Sequence, residues 1–261
     1  MRHRLHHGVF VREFGREDGP RTVLWIHGLG ESGLCFEQLL DRPDLADWRH
    51  LVPDFPGYGR TAWPGAPLPL AEQADLAADL CGDLAGGPVV VAGHSMGGVT
   101  ALLMAERHRA LVRGVVDIDG NKSVDDCRFS GLAAAMPLDD FRRGGFDDMR
   151  ATIFAGGGDD AALRGYYASL RLADPATYHA NSVELLEMST PRADLARRLR
   201  ALSCPRVYIA GAPDGASRLS RGILAEERLP VMEIAPSGHW PFIDQPDAFA
   251  AALRTFLDEV D

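Results

Sequence analysis

Lysine is nearly missing from this chain of 261 residues: 26 of its 27 basic residues are arginine, and the one lysine is Lys122. We read the skew as coding bias rather than physics, but it singles out that lysine. Cysteine is sparse. Cys35, Cys81, Cys127 and Cys204 form no C-x-x-C pair and follow no metal-ligand spacing, which points to free thiols rather than a disulfide framework and leaves no metal site to expect. Net positive charge is absent too. A formal net charge of −10 sets aside nucleic acid and anionic membrane surfaces as partners. No apolar run approaches a membrane span, and "MRHRLHHGVFVREFG" lacks the apolar core of a signal peptide, so the expected location is cytoplasmic.

What is present is ordinary for a globular protein, with 46% hydrophobic and 25% charged residues. The length suits one large domain, or a core with an inserted subdomain. Short apolar runs stopped by Gly or Pro read as strands: "GVFVREFG" as an edge hairpin strand, then "RTVLWIHG", "RHLVPDFPG", "GPVVVAGHS", "RGVVDIDG", "PRVYIAGA" and "PVMEIAPSGH". Helical spacing falls between them, at 71–85, 97–109 and the closing "QPDAFAAALRTFLDEV". Alternating strands and helices predict an α/β fold with a mostly parallel central sheet flanked by helices, whose ligands bind at the carboxyl ends of the strands. From about 121 to 202 the strand signal stops. Phe129, Phe141, Tyr166 and Tyr167 are spread there through helix-compatible sequence. We expect residues 1–120 and 203–261 to form the core and 121–202 a helical lid. Because this insertion leaves the strand "VVDID" at its carboxyl end, it should rise over the ligand side.

Ser95 stands where a strand meets a helix, in Gly93-His94-Ser95-Met96-Gly97. This G-x-S-x-G frame is a nucleophile elbow: a strained turn pushes the hydroxyl out above the sheet, and small residues two before and two after make room for it. A serine hydroxyl needs a base within reach, and the base needs an orienting group. Among nine histidines only His239, in "APSGHWPFIDQPDAF", follows a strand end and precedes the terminal helix. Two carboxylates suit the third role. Asp214 follows "VYIAGAPD" and Asp119 ends "VVDID"; both sit at carboxyl strand ends, and both lie between Ser95 and His239 in the chain. Acyl chemistry also needs two N–H donors for a developing oxyanion, which we assign to Met96 and to Leu29 in the tight turn His27-Gly28-Leu29-Gly30.

With "HGLG", "PDFPGYGRT", "GHSMGG", "GAPD" and "GHWPFIDQP" in this order, nearly the whole chain resembles the α/β-hydrolase superfamily. The resemblance implies Ser95 as nucleophile, His239 as base, Leu29 and Met96 as oxyanion donors, and Asp214 as the commoner acid position, which we take as the expected acid, with Asp119 matching an alternative used by some members. A serine at the elbow sets aside the branches with an aspartate nucleophile. His27, Gly28, His94, Asn121, Lys122 and Trp240 are candidate substrate contacts, Lys122 at the pocket rim where it could meet an anionic group. The paired aspartates at 125–126, 139–140, 147–148 and 159–160 have no regular ligand spacing and read as helix caps or solvated groups.

The expected activity is cleavage of an ester or thioester of a small, largely apolar molecule through an acyl-enzyme, without cofactor or metal. The partner is a small-molecule substrate, and a carrier-bound acyl group is compatible with the site. The same triad could instead serve acyl transfer, elimination or C–C cleavage, and a non-catalytic binding protein would have lost one of the three groups. The sequence leaves oligomeric state open.

Overall fold

The computed structural model describes residues 1–17 and 21–261. Among them eight strands, β1 (Arg2–His6), β2 (Val9–Gly15), β3 (Thr22–Ile26), β4 (Arg49–Asp54), β5 (Val89–His94), β6 (Val112–Ile118), β7 (Arg206–Pro213) and β8 (Val231–Ser237), form one sheet in the order β1-β2-β4-β3-β5-β6-β7-β8. β2 pairs antiparallel with β1 and β4, and every other neighbouring pair is parallel. Helices α1 (Leu70–Leu84) and α2 (Met96–Arg107) precede and follow β5. Between β6 and β7 lie α3 (Arg128–Ala134), α4 (Phe146–Gly156), α5 (Ala161–Leu170), α6 (Pro175–Met188) and α7 (Leu195–Arg200), while α8 (Arg218–Glu226) joins β7 to β8 and α9 (Pro246–Glu259) closes the chain.

β3 and β5 are buried at every position. Side chains alternate between sheet faces along a strand, so burial at successive residues means that both faces are covered. Trp25, Ile26, Val90, Val91, Val115 and Val116 have no solvent exposure, and burial of an aliphatic side chain of this size contributes about 1.5–3 kcal/mol. Ile26 pairs with Gly93, His94 with Ile118, and Ile118 with Ile209. The carboxyl ends of four parallel strands therefore reach one level, and the loops that follow them meet there.

Two strands differ from expectation because they are edges. β1 was not foreseen, since "RHRLH" carries charge instead of an apolar face; His7 and Gly8, both at positive φ, make the two-residue turn that returns it into β2. β8 reads as an apolar run, yet most of it is exposed because only β7 flanks it.

No strand occurs in the described chain between Ile118 and Arg206. Helix caps written in the sequence start two of its longer helices. Asp174 accepts from the N–H groups of Ala176 and Thr177 with Pro175 at the first helical position, and Asp160 accepts from Leu163, each cap worth about 1 kcal/mol. The Tyr166 and Tyr178 hydroxyls meet at 3.0 Å, and Phe141 and Phe146 surround the Tyr178 ring. Most of these aromatics thus hold the helical layer together. The layer rests on the loop after β3: a Cβ on Gly30 would lie 2.6 Å from both Leu170 and Tyr178.

The start of α2 packs backbone against backbone. A Cβ on Gly97 would stand 2.2 Å from the Ile26 carbonyl oxygen, and one on Gly93 would stand 2.1 Å from that of Gly97. Gly97→Ala should therefore lower stability by about 1–3 kcal/mol, read from the urea midpoint, because backbone rather than a flexible side chain must move. An unchanged midpoint would contradict this packing.

Candidate active site

Ser95 follows the last residue of β5 and caps α2 at φ 54°, ψ −120°. This is a strained backbone for a residue with a Cβ, and it is held by a 2.9 Å bond from the Ser95 N–H to the Ile118 carbonyl. Met96 is the first residue of α2, so its N–H is one of the helix's initial donors that has no intrahelical carbonyl. Ser95 and Leu29 both line a cavity of about 940 Å³ at the carboxyl ends of the strands.

His239 reaches the same cavity from the loop after β8, with 26% of its side chain exposed. Its Nδ1 lies 3.9 Å from Oδ2 of Asp119. Asp119 is 1% exposed and adopts φ 43° just beyond β6. Its carboxylate accepts from the N–H groups of Gly211 at 3.2 Å and Ala216 at 3.0 Å. Burial pushes this carboxyl well above the ordinary range, while those two donors and the nearby His94 charge favour the ionised form. Asp214 is placed otherwise. It lies on the rim of the same cavity with its side chain exposed, and its backbone N–H bonds to the Ser237 carbonyl. The turn from Gly211 to Ala216 wraps so closely around Asp119 that a Cβ on Gly215 would lie 2.3 Å from Asp119 Oδ2.

The other candidates separate into two groups. Gly28, His94, Asn121 and Trp240 line the cavity. His27 and Lys122 do not, and in both cases their polar atoms are committed elsewhere. His27 is fully buried, with Nε2 accepting from the Phe55 N–H and Nδ1 beside the Gly28 carbonyl, which clamps the loops after β3 and β4 together. Lys122, expected at the rim, instead turns inward: its Nζ bonds to Asp117 Oδ2 at 2.7 Å and to the Gly120 and Asn121 carbonyls. The paired aspartates do what solvated or capping groups do. Asp126 closes a capping box with Ser123, Asp140 and Asp147 pair with Arg143 and Arg150, and Asp125 and Asp159 are exposed.

The model of the alpha/beta hydrolase family matches residues 23–252. The chain belongs to the alpha/beta hydrolase family. It is 28% identical to the pimeloyl-[acyl-carrier protein] methyl ester esterase of Vibrio vulnificus over 91% of this chain and 94% of the relative. To lipase LipV of Mycobacterium tuberculosis it is 33% identical over 128 residues, covering 49% of this chain and 48% of that relative. The enol-lactonase of Burkholderia xenovorans LB400 shares its fold, with a TM-score of 0.79 at 19% identity over 98% of this chain and 100% of that one. The protein is thus an enzyme of the hydrolase class.

Sequence reasoning missed one residue at the centre of this hydrolase's site. Glu31, 2% exposed, lines the cavity and accepts from the Gly28 N–H, from His94 Nδ1 at 2.9 Å and from Trp240 Nε1. Its signal was the position three residues after Gly28 in "HGLGE", from which a carboxylate folds back onto a turn amide. Among the described residues one group could bring three donor atoms to a metal ion, His6, His7 and Asp83, and it shares no residue with the cavity.

Burial, together with the neighbouring His94 charge, pushes the His239 pKa below its ordinary 6.5. The imidazole is then neutral, and able to accept a proton, throughout the neutral range and below it. With His239 as the base, the acid limb of kcat/KM should fall below pH 6.5. A limb at or above pH 6.5 would contradict this environment.

Proposed function

We propose that this hydrolase is a serine esterase acting on esters or thioesters whose acyl group is small and largely apolar, with Ser95, His239 and Asp119 as its triad. The observation that carries the reading is the meeting in one cavity of a serine on a left-handed elbow with a histidine that faces a buried carboxylate. Asp119 supports the acid role better than Asp214, whose side chain is exposed. Leu29, Phe129, Leu163, Tyr166, Leu185 and Ile243 give the cavity its apolar wall. The helical layer between β6 and β7 supplies Phe129, Leu163, Tyr166 and Leu185, which supports its role as a lid.

The chemistry follows from these positions. His239 takes the proton from the Ser95 hydroxyl as Oγ attacks the substrate carbonyl. Asp119 faces the new imidazolium, whose charge favours the ionised carboxyl that burial opposes, and the Leu29 and Met96 N–H groups hold the oxyanion. Collapse expels the alcohol or thiol, which takes the proton from His239, and leaves an acyl-enzyme. Water deprotonated by the same imidazole then attacks the acyl carbon, releases the acid and restores Ser95. Likeness to the Vibrio vulnificus esterase also supports a carrier-bound acyl ester as a substrate of this class.

The test is release of p-nitrophenol from acyl esters of increasing chain length. Ser95→Ala should lower kcat by about 10³-fold or more, Asp119→Asn by about 10²-fold or more, and Asp214→Ala by no more than about twofold. Greater damage from Asp214→Ala than from Asp119→Asn would overturn the acid assignment. A wild type that turns over no ester and does not react with a fluorophosphonate would overturn the esterase reading itself.

A further inference from the structure

His94 stands between two acceptors. Its Nδ1 lies 2.9 Å from the Glu31 carboxylate and its Nε2 lies 2.8 Å from the His239 carbonyl oxygen. A neutral imidazole carries one N–H and could satisfy only one of them, whereas an imidazolium donates to both. The ring is 1% exposed, so water cannot supply the missing hydrogen bond, and an unmade bond at such depth is costly.

Resting on the esterase reading, we propose that Glu31 and His94 form a buried carboxylate–imidazolium pair whose function is to position the base, by anchoring His239 through its backbone carbonyl. Glu31 reaches His94 across 63 residues of chain and Trp240 across 209, and His94 reaches His239 across 145. The Gly28 N–H completes the network. The donor loop after β3, the elbow after β5 and the base loop after β8 are therefore tied at one point, and each bond there has a charged donor or acceptor. The imidazolium faces Glu31, the His239 ring at 4.7 Å, the Trp240 and Phe242 rings, and more remotely Asp119. Tilted and edge-on contacts with these rings flank it while the two acceptors set its rotation.

The charge state agrees with this geometry. Burial works against both ions, yet the His94 charge, with hydrogen bonds from His94, Trp240 and the Gly28 amide, brings the Glu31 pKa down to about 2. Burial likewise opposes the His94 ion, but the Glu31 carboxylate and the His239 carbonyl raise its pKa above the ordinary value. Pairing outweighs desolvation on both sides. Neither side chain exchanges a proton with substrate, so both are positioning residues.

Nitrogen-15 NMR of histidine-labelled enzyme tests the pair directly, with the His94 signal assigned by its loss in His94→Gln. In the wild type both ring nitrogens should be protonated at pH 7; in Glu31→Gln one should lose its proton. Kinetics test the positioning. Glu31→Gln should lower kcat about 10- to 100-fold with KM within about twofold, while the number of sites titrated by a fluorophosphonate stays unchanged. A structural role alone would lower the titrated fraction instead. A singly protonated wild-type His94 would overturn the proposal even if the variant failed to fold, and so would a folded Glu31→Gln that keeps kcat within twofold. Should the wild type prove inert toward esters and fluorophosphonate, the esterase reading falls, while the NMR result still decides whether the pair exists.

Discussion

The distance between two backbones governs the site. Gly97 lets the first turn of α2 press against the Ile26 carbonyl, and Gly93 lets the end of β5 pass under that turn. With a side chain at either place the helix would start farther from the sheet, and Ser95 would no longer need its left-handed backbone. The strain at Ser95 is thus imposed by packing on both sides of it. Two backbone bonds, from Ser95 to Ile118 and from Gly98 to Ser95, hold the turn once it has formed.

A second close approach organises the surroundings of Asp119. Gly215 permits the turn after β7 to fold around Asp119, and the Gly211 and Ala216 amides meet its carboxylate. The same turn places Pro213 and Asp214 on the outside. One short segment therefore buries one carboxylate and exposes the other, although both stand at the carboxyl end of a parallel strand.

The sequence favours Asp214 over Asp119 because the burial that separates them is not written in any local pattern, whereas the placement of Ser95 and His239 at strand ends is. The serine announces itself through its glycines and the histidine through its strand and helix flanks, both of which are local patterns. The environment of Asp119 is built by residues nearly a hundred positions away. Glu31 escaped for a related reason. A glutamate in a glycine-rich turn reads as solvated, and only the arrival of His94 and Trp240 makes it a buried hub. The edge strand β1 was hidden by its charge, and Lys122 was misplaced because its partner, Asp117, lies inside β6, where no local pattern announces an ion pair. The central strands and principal helices were legible because burial on both sheet faces demands unbroken apolar runs.

The inward turn of Lys122 has a consequence for handling the protein. Its ammonium group is 1% exposed and held by Asp117, and no other lysine exists in the 261 residues. The folded surface accordingly offers no side-chain amine to acylating labels, aldehyde fixatives or carboxyl–amine crosslinkers. Lys122 becomes available to them only when its ion pair with Asp117 opens, so the rate at which an amine-reactive dye enters this side chain is a clock for the opening of that buried pair.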